Sequence, residues 1–443
     1  MLDWPLVFIF LARTTTSITA DLSYLLLGAY VLMGRQQIIK GLFLVWLFGA
    51  LHPGIFPQPS NAALGRYLVF GLAVVSVLLS GSLRRATLLT CMTCVFTAFL
   101  LLHSVAVSII PEVSILKAAS WGAVFVTVFA SWSAMNTQER LDTLNWITRF
   151  LLAIAVISLP LLLVPSLGYM RTLSGFQGVL SHPQIFGPIM AVLGGLAAGK
   201  LIDRHSHKLF NLVLLFLALF LVVLSGTRTA GLALILGILM SAVVKIFVSA
   251  LQTGQVFRLQ KGALVFWSGF LFISSVAFLG SQQTDVISSY LNKYDGERTR
   301  GLVEIYMASR SVLYLPMIDN IAENLVGGIG FGIASVPSSM NIIRDPIFGF
   351  PISASIEKGV LPLAVFEEIG FLGFSIWVLW IIVIIYQAIK VGATALTVIL
   401  VVLLLNLGES VLFSVGGMGL FQILIISGVI TADNEVKFYK EEN

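Results

Sequence analysis

Apolar positions along this chain come in long unbroken runs, not in the narrow stripes of an amphipathic soluble helix or the alternation of a half-buried strand. Read with a window of about 19 residues, the runs predict helices near 22–34, 39–55, 67–82, 86–109, 118–134, 146–165, 184–200, 209–224, 230–249 and 262–281. Three more follow near 366–387, 392–407 and 411–430. The first stretch, 4–20, is broken by Arg13, the run Thr14-Thr15-Thr16-Ser17 and Asp21, which leaves it either a short crossing or an interfacial helix. The expected fold is an all-α polytopic membrane protein with about 12 to 14 transmembrane helices.

This pattern divides the chain into an N-terminal transmembrane bundle (1–281), one large hydrophilic loop carrying short helices (282–365), and C-terminal transmembrane helices with a short tail (366–443). The loop far exceeds the about 15 residues beyond which connections are usually functional or disordered. Its Leu291, Tyr294, Ile305, Tyr306, Leu313, Tyr314, Phe331, Phe348 and Phe350 supply enough apolar surface to pack, which argues against disorder. Apolar positions in 302–326 follow a helical period, so a folded cap with one or two helices is expected.

Composition narrows the class. Of 443 residues, 58% are hydrophobic and 11% charged, with a mean hydropathy of +0.99; soluble domains carry roughly 25% charged residues. A soluble enzyme, a disordered hub and a disulfide scaffold are excluded. The net charge of +5 would suggest nucleic acid in a soluble protein, but here the positive-inside rule accounts for it. Arg35, Lys40, Arg84, Arg85, Arg140, Arg149, Lys200, Arg204, Lys208, Lys245, Arg258, Lys261, Lys390, Lys437 and Lys440 fall on one set of alternate connections. The opposite short connections hold only Arg66, Lys117, Arg171 and Arg228. The first set, and the C-terminus with it, is expected in the cytoplasm, with the large loop outside. Asp3 in place of a basic cluster, and no convincing cleavage site, predict no removable signal peptide. Cys91 and Cys94 sit inside an apolar run, where close helix packing is expected of them and neither a metal nor a redox role is.

Candidate chemistry concentrates on the outer side. Arg228 lies in the minimal turn Ser225-Gly226-Thr227-Arg228-Thr229-Ala230-Gly231, where a guanidinium at headgroup depth beside a helix N-terminus suits capture of a phosphate; the alternative is a snorkelling anchor. In Ser181-His182-Pro183-Gln184-Ile185-Phe186-Gly187-Pro188, Pro183 suits a first helical turn, Ser181 or His182 a cap, and Gly187 a close helix contact. His182 is equally a candidate base or donor toward a sugar hydroxyl. Arg300, Arg310 and Lys358, with Arg171, complete the candidate set for binding a diphosphate or glycan. The cluster Gly327-Gly328-Ile329-Gly330-Phe331-Gly332 lacks the Lys-Ser/Thr ending of a phosphate-binding loop and reads as a tight turn, with a sugar as one thing it could approach. Glu367 and Glu368 enter a span, so at least one should face protein or a water-filled cavity. Glu368 is assigned to orienting an arginine and Glu357 to the more accessible base. Asn406 and Glu409 are expected to satisfy helix ends, His103 to be packed or hydrogen-bonded, and His205 and His207 to belong to a charged surface.

These outer segments, in this order, resemble the O-antigen polymerase and O-antigen ligase superfamily of bacterial cell-envelope glycosyltransferases. His182-Pro183-Gln184-Ile185-Phe186-Gly187 is similar to the family's His-Pro-Asn-x-x-Gly turn, and Thr227-Arg228-Thr229-Ala230 to its arginine turn. Arg310 followed by Gly328-Ile329-Gly330-Phe331-Gly332, then Glu368-Ile369-Gly370-Phe371-Leu372-Gly373, match the remaining two, so that the likeness covers roughly residues 170–385. The resemblance implies a GT-C-like fold in a bacterial inner (plasma) membrane. It implies a metal-independent glycosyltransferase without a cofactor, acting on undecaprenyl-diphosphate-linked glycan as donor and acceptor. A chain-length regulator or other polysaccharide assembly proteins are the implied partners, and nucleic acid is not. Ligases carry a His-Asn pair upstream of the last motif, where this chain has Gly359-Val360 flanked by Glu357-Lys358. That departure favours a polymerase of O-antigen (lipopolysaccharide) or exopolysaccharide repeat units over a ligase to lipid A core or another final acceptor. A flippase or transporter is the weaker alternative, since it would line several spans with polar residues at the midplane.

Overall fold

The computed structural model describes residues 3–85, 87–170, 175–203, 207–253, 302–344, 349, 351–354 and 358–431. In chain order these form α1 (Trp4–Thr15), α2 (Ser17–Val31), α3 (Arg35–Ala50), α4 (Ala62–Leu79), α5 (Leu88–Ala106), α6 (Pro111–Ala134) and α7 (Thr137–Ser158). They continue with α8 (Pro183–Ile202), α9 (Lys208–Ser225), α10 (Arg228–Thr253), α11 (Leu302–Glu323), α12 (Leu361–Val391), α13 (Ala393–Leu405) and α14 (Met418–Thr431). The described residues are mostly helical, as expected of a polytopic membrane protein. Among the described residues, eight helices are long and apolar enough to cross a membrane, and four further apolar helices, α1, α2, α13 and α14, are shorter. The expected span at 262–281 lies outside the described residues.

The shorter helices have local causes. Thr16 closes α1 and caps α2 through a reciprocal box with Thr19, a polar break inside the apolar run. Arg13 does not reach for solvent: it is fully buried and donates to the carbonyls of Pro57 and Phe48. Asp3 accepts from the Tyr30 hydroxyl (2.7 Å) and Lys40 (2.9 Å), which folds α1 back along α2. The helices α13 and α14 are 13 and 14 residues long, about 20 Å each at 1.5 Å per residue, against a hydrocarbon core of about 30 Å. Both are buried almost all round, so their ends stop inside protein, where irregular backbone is tolerated at membrane depth. The helix α8 shares this central position, buried along most of its length. Around the centre, large apolar side chains such as Leu88, Leu102, Leu209, Phe216 and Phe371 point outward, as a lipid-facing surface requires.

Cys91 and Cys94 belong to that outward surface, which corrects the packing expectation. The packed face of α5 is Leu89, Thr90, Thr93, Phe96, Leu100 and Ser104, and the cysteines fall off its helical period. Thr93 receives the Trp380 indole N–H at 3.0 Å.

One end of the bundle is organised by bases acting on helix C-termini, where carbonyls lack partners. Arg35 and Arg85 donate to Ala134 O, at 2.8 and 3.2 Å. Arg140 reaches Trp132 O (3.1 Å), Ser133 O (3.1 Å) and Thr431 O (2.8 Å). At the same end Asp203 pairs with Lys245 and accepts from the N–H groups of Ala393 (3.1 Å) and Thr394 (2.7 Å), capping α13 from another part of the chain. Burial alone would raise the Asp203 carboxyl, but the ammonium of Lys245 and those donors outweigh it and hold it below its ordinary value. Its stabilisation is therefore complete above about pH 4, the unfolded value, and is lost as pH falls through the lower folded value. Asp203→Ala should cost about 1–2 kcal/mol at neutral pH. Thermal unfolding in detergent should then depend less on pH between about 5 and 2 in the variant than in the wild type.

Within the hydrophilic segment, the helix expected in 302–326 is α11. An antiparallel hairpin, Ile342–Arg344 with Pro351–Ala354, was not anticipated. It is tied down by Arg344 to Glu112 (2.6 Å) and by the Tyr67 hydroxyl to Ile352 O (2.8 Å). The last long helix begins at Leu361, a few residues earlier than expected, because Pro362 suits its first turn.

Candidate functional site

At the end opposite the arginine-capped termini, two sequence motifs meet. The segment entering α8 lies against the α9–α10 turn: Phe176 N–H bonds Leu224 O at 3.0 Å. A Cβ on Gly187 would fall 1.8 Å from Thr227 Oγ1, and one on Gly175 would fall 2.4 Å from Ser225 O. Glycine at 187 is thus required by close approach of α8 to the turn, as expected. Ser225 and Thr227 hydroxyls bond each other at 2.5 Å, which stiffens the turn that opens α10 at Arg228. Arg228 is half-buried, and its two neighbours Thr227 and Thr229 line a small cavity.

His182 caps α8: its Nδ1 accepts the Gln184 N–H at 3.1 Å. The neutral ring consequently carries its proton on Nε2, and there it offers a donor, not a base. Next to it, residues 51–52 pair with 179–180, His52 N–H bonding Val179 O at 2.9 Å. Burial pushes the His52 imidazole down, with a smaller opposing effect from its own local hydrogen bond. This pairing is invisible to helical periodicity and was not expected.

The acidic motif forms a second, buried centre. Gly370 interrupts α12 at φ +62°, ψ −172°, a conformation open essentially to glycine alone. The kink releases the carbonyls of Glu367 and Glu368, which accept the N–H groups of Ile329 and Gly330, both at 2.9 Å, while Phe371 N–H bonds Leu325 O at 3.0 Å. The glycine cluster is explained by this docking. A Cβ at Gly328 would meet the Glu368 backbone at 2.6 Å, and one at Gly332 would meet Lys117 at 2.4 Å. The close approach is to protein backbone and side chain. Gly370→Ala would place a methyl 2.0 Å from Val326 O and should cost about 1–3 kcal/mol for the backbone strain alone, read as a lower unfolding midpoint in detergent.

Within this centre Lys358 is enclosed by both carboxylates, 2.6 Å from Glu367 and 3.0 Å from Glu368, with side chains 1%, 0% and 7% exposed. Glu367 also accepts from Asn320 (2.7 Å) and the Ser335 hydroxyl (3.0 Å), and Glu368 from Gly332 N–H (2.6 Å). Lys117 donates to Gly332 O at 2.6 Å. Lys358, expected to bind a diphosphate, is thereby committed inside the protein, because burying two glutamates demands a cation between them. Glu368, expected to orient an arginine, orients this lysine instead. His103 is hydrogen-bonded, to Gly327 O.

The turn 406–410 joins the two centres. Ser410 N–H bonds Lys358 O (3.1 Å) and Leu361 N–H bonds Asn406 O (2.9 Å). Asn406 Nδ2 donates to Val402 O at 2.8 Å, satisfying the end of α13 as expected, and its Oδ1 accepts from the Val411 (3.1 Å) and Leu412 (3.0 Å) N–H groups of the following loop. Glu409 faces the other way, lining the cavity beside Thr227 and Thr229. Of the remaining candidates, Arg171, Arg300 and Glu357 lie outside the described residues, and Arg310 is placed on α11 by its backbone alone. The structure thus packs the helix that His182 caps against the turn that carries Arg228, and ties the neighbouring 406–410 turn to Lys358. Among the described residues, no group of three or more His, Cys, Asp or Glu is placed to hold a metal ion. Comparison with known proteins adds no assignment: no protein-family model matches the chain, and no curated relative does.

Proposed function

We propose that this chain is a membrane glycosyltransferase that polymerises undecaprenyl-diphosphate-linked oligosaccharide repeat units of an O-antigen or exopolysaccharide. By the positive-inside rule the arginine-capped end faces the cytoplasm of a bacterial plasma membrane, and the transfer takes place at the opposite, extracytoplasmic end. The observation that carries the reading is the convergence at that end of Gln184, two residues after the His182 cap, of Thr227 and Thr229 on either side of Arg228, and of Glu409 around one small cavity. A glycan on a diphosphate already has its leaving group, so the protein must hold the diphosphate, meet the charge that develops as the glycosidic bond breaks, and align the acceptor. Arg228, half-buried at a helix N-terminus, combines a guanidinium fork with backbone donors for the first of these tasks. Lys358 and Glu368 serve the site indirectly, by fixing the chain that carries the 406–410 turn.

A ligase would use the same donor. A strain deleted for this protein separates the two by its glycan profile. Single repeat units on otherwise normal acceptors are expected for a polymerase; long chains stranded on the carrier lipid would show a ligase instead, and an unchanged profile would contradict both.

A further inference from the structure

The helices α4 and α5 each pack on α6 but hardly on each other. Between them the lipid-facing surface is recessed into a groove of about 320 Å³, many times the about 10–15 Å³ that one water-sized group needs. Most of its wall is hydrocarbon, from Val74, Val77, Leu78, Leu83, Leu101 and Val126. Of its polar residues, Thr97 donates to Thr93 O at 2.7 Å, Thr127 is buried, and Cys94 carries only a weak thiol donor. The floor is set by Gly122, where a Cβ would fall 2.0 Å from Thr97 Cγ2, so α5 and α6 meet closely beneath the groove. Cys94 and Leu101 lie six and thirteen residues into α5, about 9 and 20 Å at 1.5 Å per residue. The groove therefore overlaps the depth of one leaflet's acyl chains in a hydrocarbon layer of about 30 Å.

The mouth of this groove is charged. Leu83 belongs to the 3₁₀ turn Ser82–Arg85 at the arginine-capped end of the bundle. Arg35 and Arg85 there are engaged with Ala134 O. Arg84, next in the chain to the groove-lining Leu83, is exposed and, among the described residues, has no hydrogen bond or ion pair. A guanidinium at headgroup depth beside a hydrocarbon slot suits an anion joined to an acyl chain. A free phosphate would leave the slot unfilled, and a neutral lipid would leave the arginine unmatched. We infer that the groove binds one anionic phospholipid of the leaflet at the arginine-capped end, with an acyl chain between α4 and α5 over α6 and the headgroup phosphate on Arg84. The positive-inside rule puts that leaflet on the cytoplasmic side. An acyl chain in this position touches both α4 and α5, so a lipid bound by the folded protein alone should also raise its stability. The inference stands apart from the glycosyl-transfer reading, whose site is at the opposite end of the bundle.

The test uses the full-length protein in phosphatidylcholine vesicles doped with phosphatidylglycerol that carries a photoreactive acyl chain. Irradiation should label the groove segments Cys94–Leu101 and Gly122–Thr127 well above α9, whose Leu209 and Phe216 face lipid just as openly. Ala98 and Ala123 are exposed on the groove surface, so Ala98→Phe fills the groove without entering the core and should remove this excess. Arg84→Gln should lower groove labelling about fivefold at subsaturating lipid, the worth of one basic residue at an anionic membrane surface. Phosphatidylcholine carrying the same reactive chain should label wild-type protein as weakly as phosphatidylglycerol labels that variant. Because Arg84 is an exposed position, its variant carries the test if Ala98→Phe does not fold. In detergent, added phosphatidylglycerol should raise the unfolding midpoint of the wild type and do so less in Arg84→Gln. Labelling spread evenly over α9 and the groove, or an Arg84→Gln protein labelled like the wild type, would overturn the inference. So would cross-linking of two protein chains through the groove, which would give it to a second copy. Displacement of the label by polyprenyl phosphate in preference to unlabelled phosphatidylglycerol would likewise overturn it and assign the groove to an isoprenoid chain.

Discussion

Arg228→Ala should abolish chain extension while the protein still inserts and folds. The residue opens α10 behind a turn stiffened by the Ser225–Thr227 hydroxyl pair, so removing its side chain leaves the backbone geometry in place. On the proposed glycosyl-transfer reading, the variant loses a charge-assisted, bidentate contact with the donor phosphate, about 1.5–3 kcal/mol, which corresponds to donor binding weaker by about 10- to 150-fold. Chain extension should fall further, because the same guanidinium meets the charge of the departing diphosphate. Arg228→Lys keeps the charge but not the planar fork and should fall between the two. Donor binding measured on purified protein, alongside glycan ladders from complemented cells, checks the pair; wild-type ladders in Arg228→Ala would remove the arginine from the site.

Lys358→Met should give the largest loss of stability. It would leave Glu367 and Glu368 buried, 0% and 7% exposed at the side chain, without the ammonium between them. Breaking a buried pair from one side costs about 3–5 kcal/mol, a substantial share of the 5–15 kcal/mol that holds a typical domain together. The triple variant Lys358→Met, Glu367→Gln, Glu368→Gln removes the uncompensated charge and should recover most of that loss, since neutral replacements of buried ion groups are often well tolerated. Unfolding midpoints in detergent decide the matter. If Lys358→Met unfolded like the wild type, the lysine would not be the internal counter-ion described above.

The helices were legible in the sequence because each long apolar run is itself the physical cause of a span, and a cap such as His182-Pro183 is a local signal. What could not be read locally was partnership. Lys358 reads as a rim cation because nothing in its own stretch announces that both glutamates of α12 will close on it. The glycine cluster 327–332 was recognisable as a tight turn, but its partner, the kink in α12, lies about 40 residues away, a separation that only closes in the folded chain. Cys91 and Cys94 fall on the outer face of α5 because its packing stripe is set by Thr93 and Phe96, which meet α12 and α6. Glu409 belongs to the turn that ends α13, its N–H bonding Leu405 O at 3.3 Å, but its place beside Thr229 on a cavity wall follows from distant segments meeting, which no local pattern announces.

On the proposed function, sugar is transferred from a polyprenyl diphosphate at the end of the bundle holding Arg228. Reconstituting the purified wild-type protein in liposomes with lipid-linked repeat units, and resolving the products by size, tests it most directly. A ladder of longer lipid-linked glycans with release of free polyprenyl diphosphate, absent in Arg228→Ala, is the expected result. Repeat units that stay unextended in the presence of correctly folded wild-type protein would contradict it.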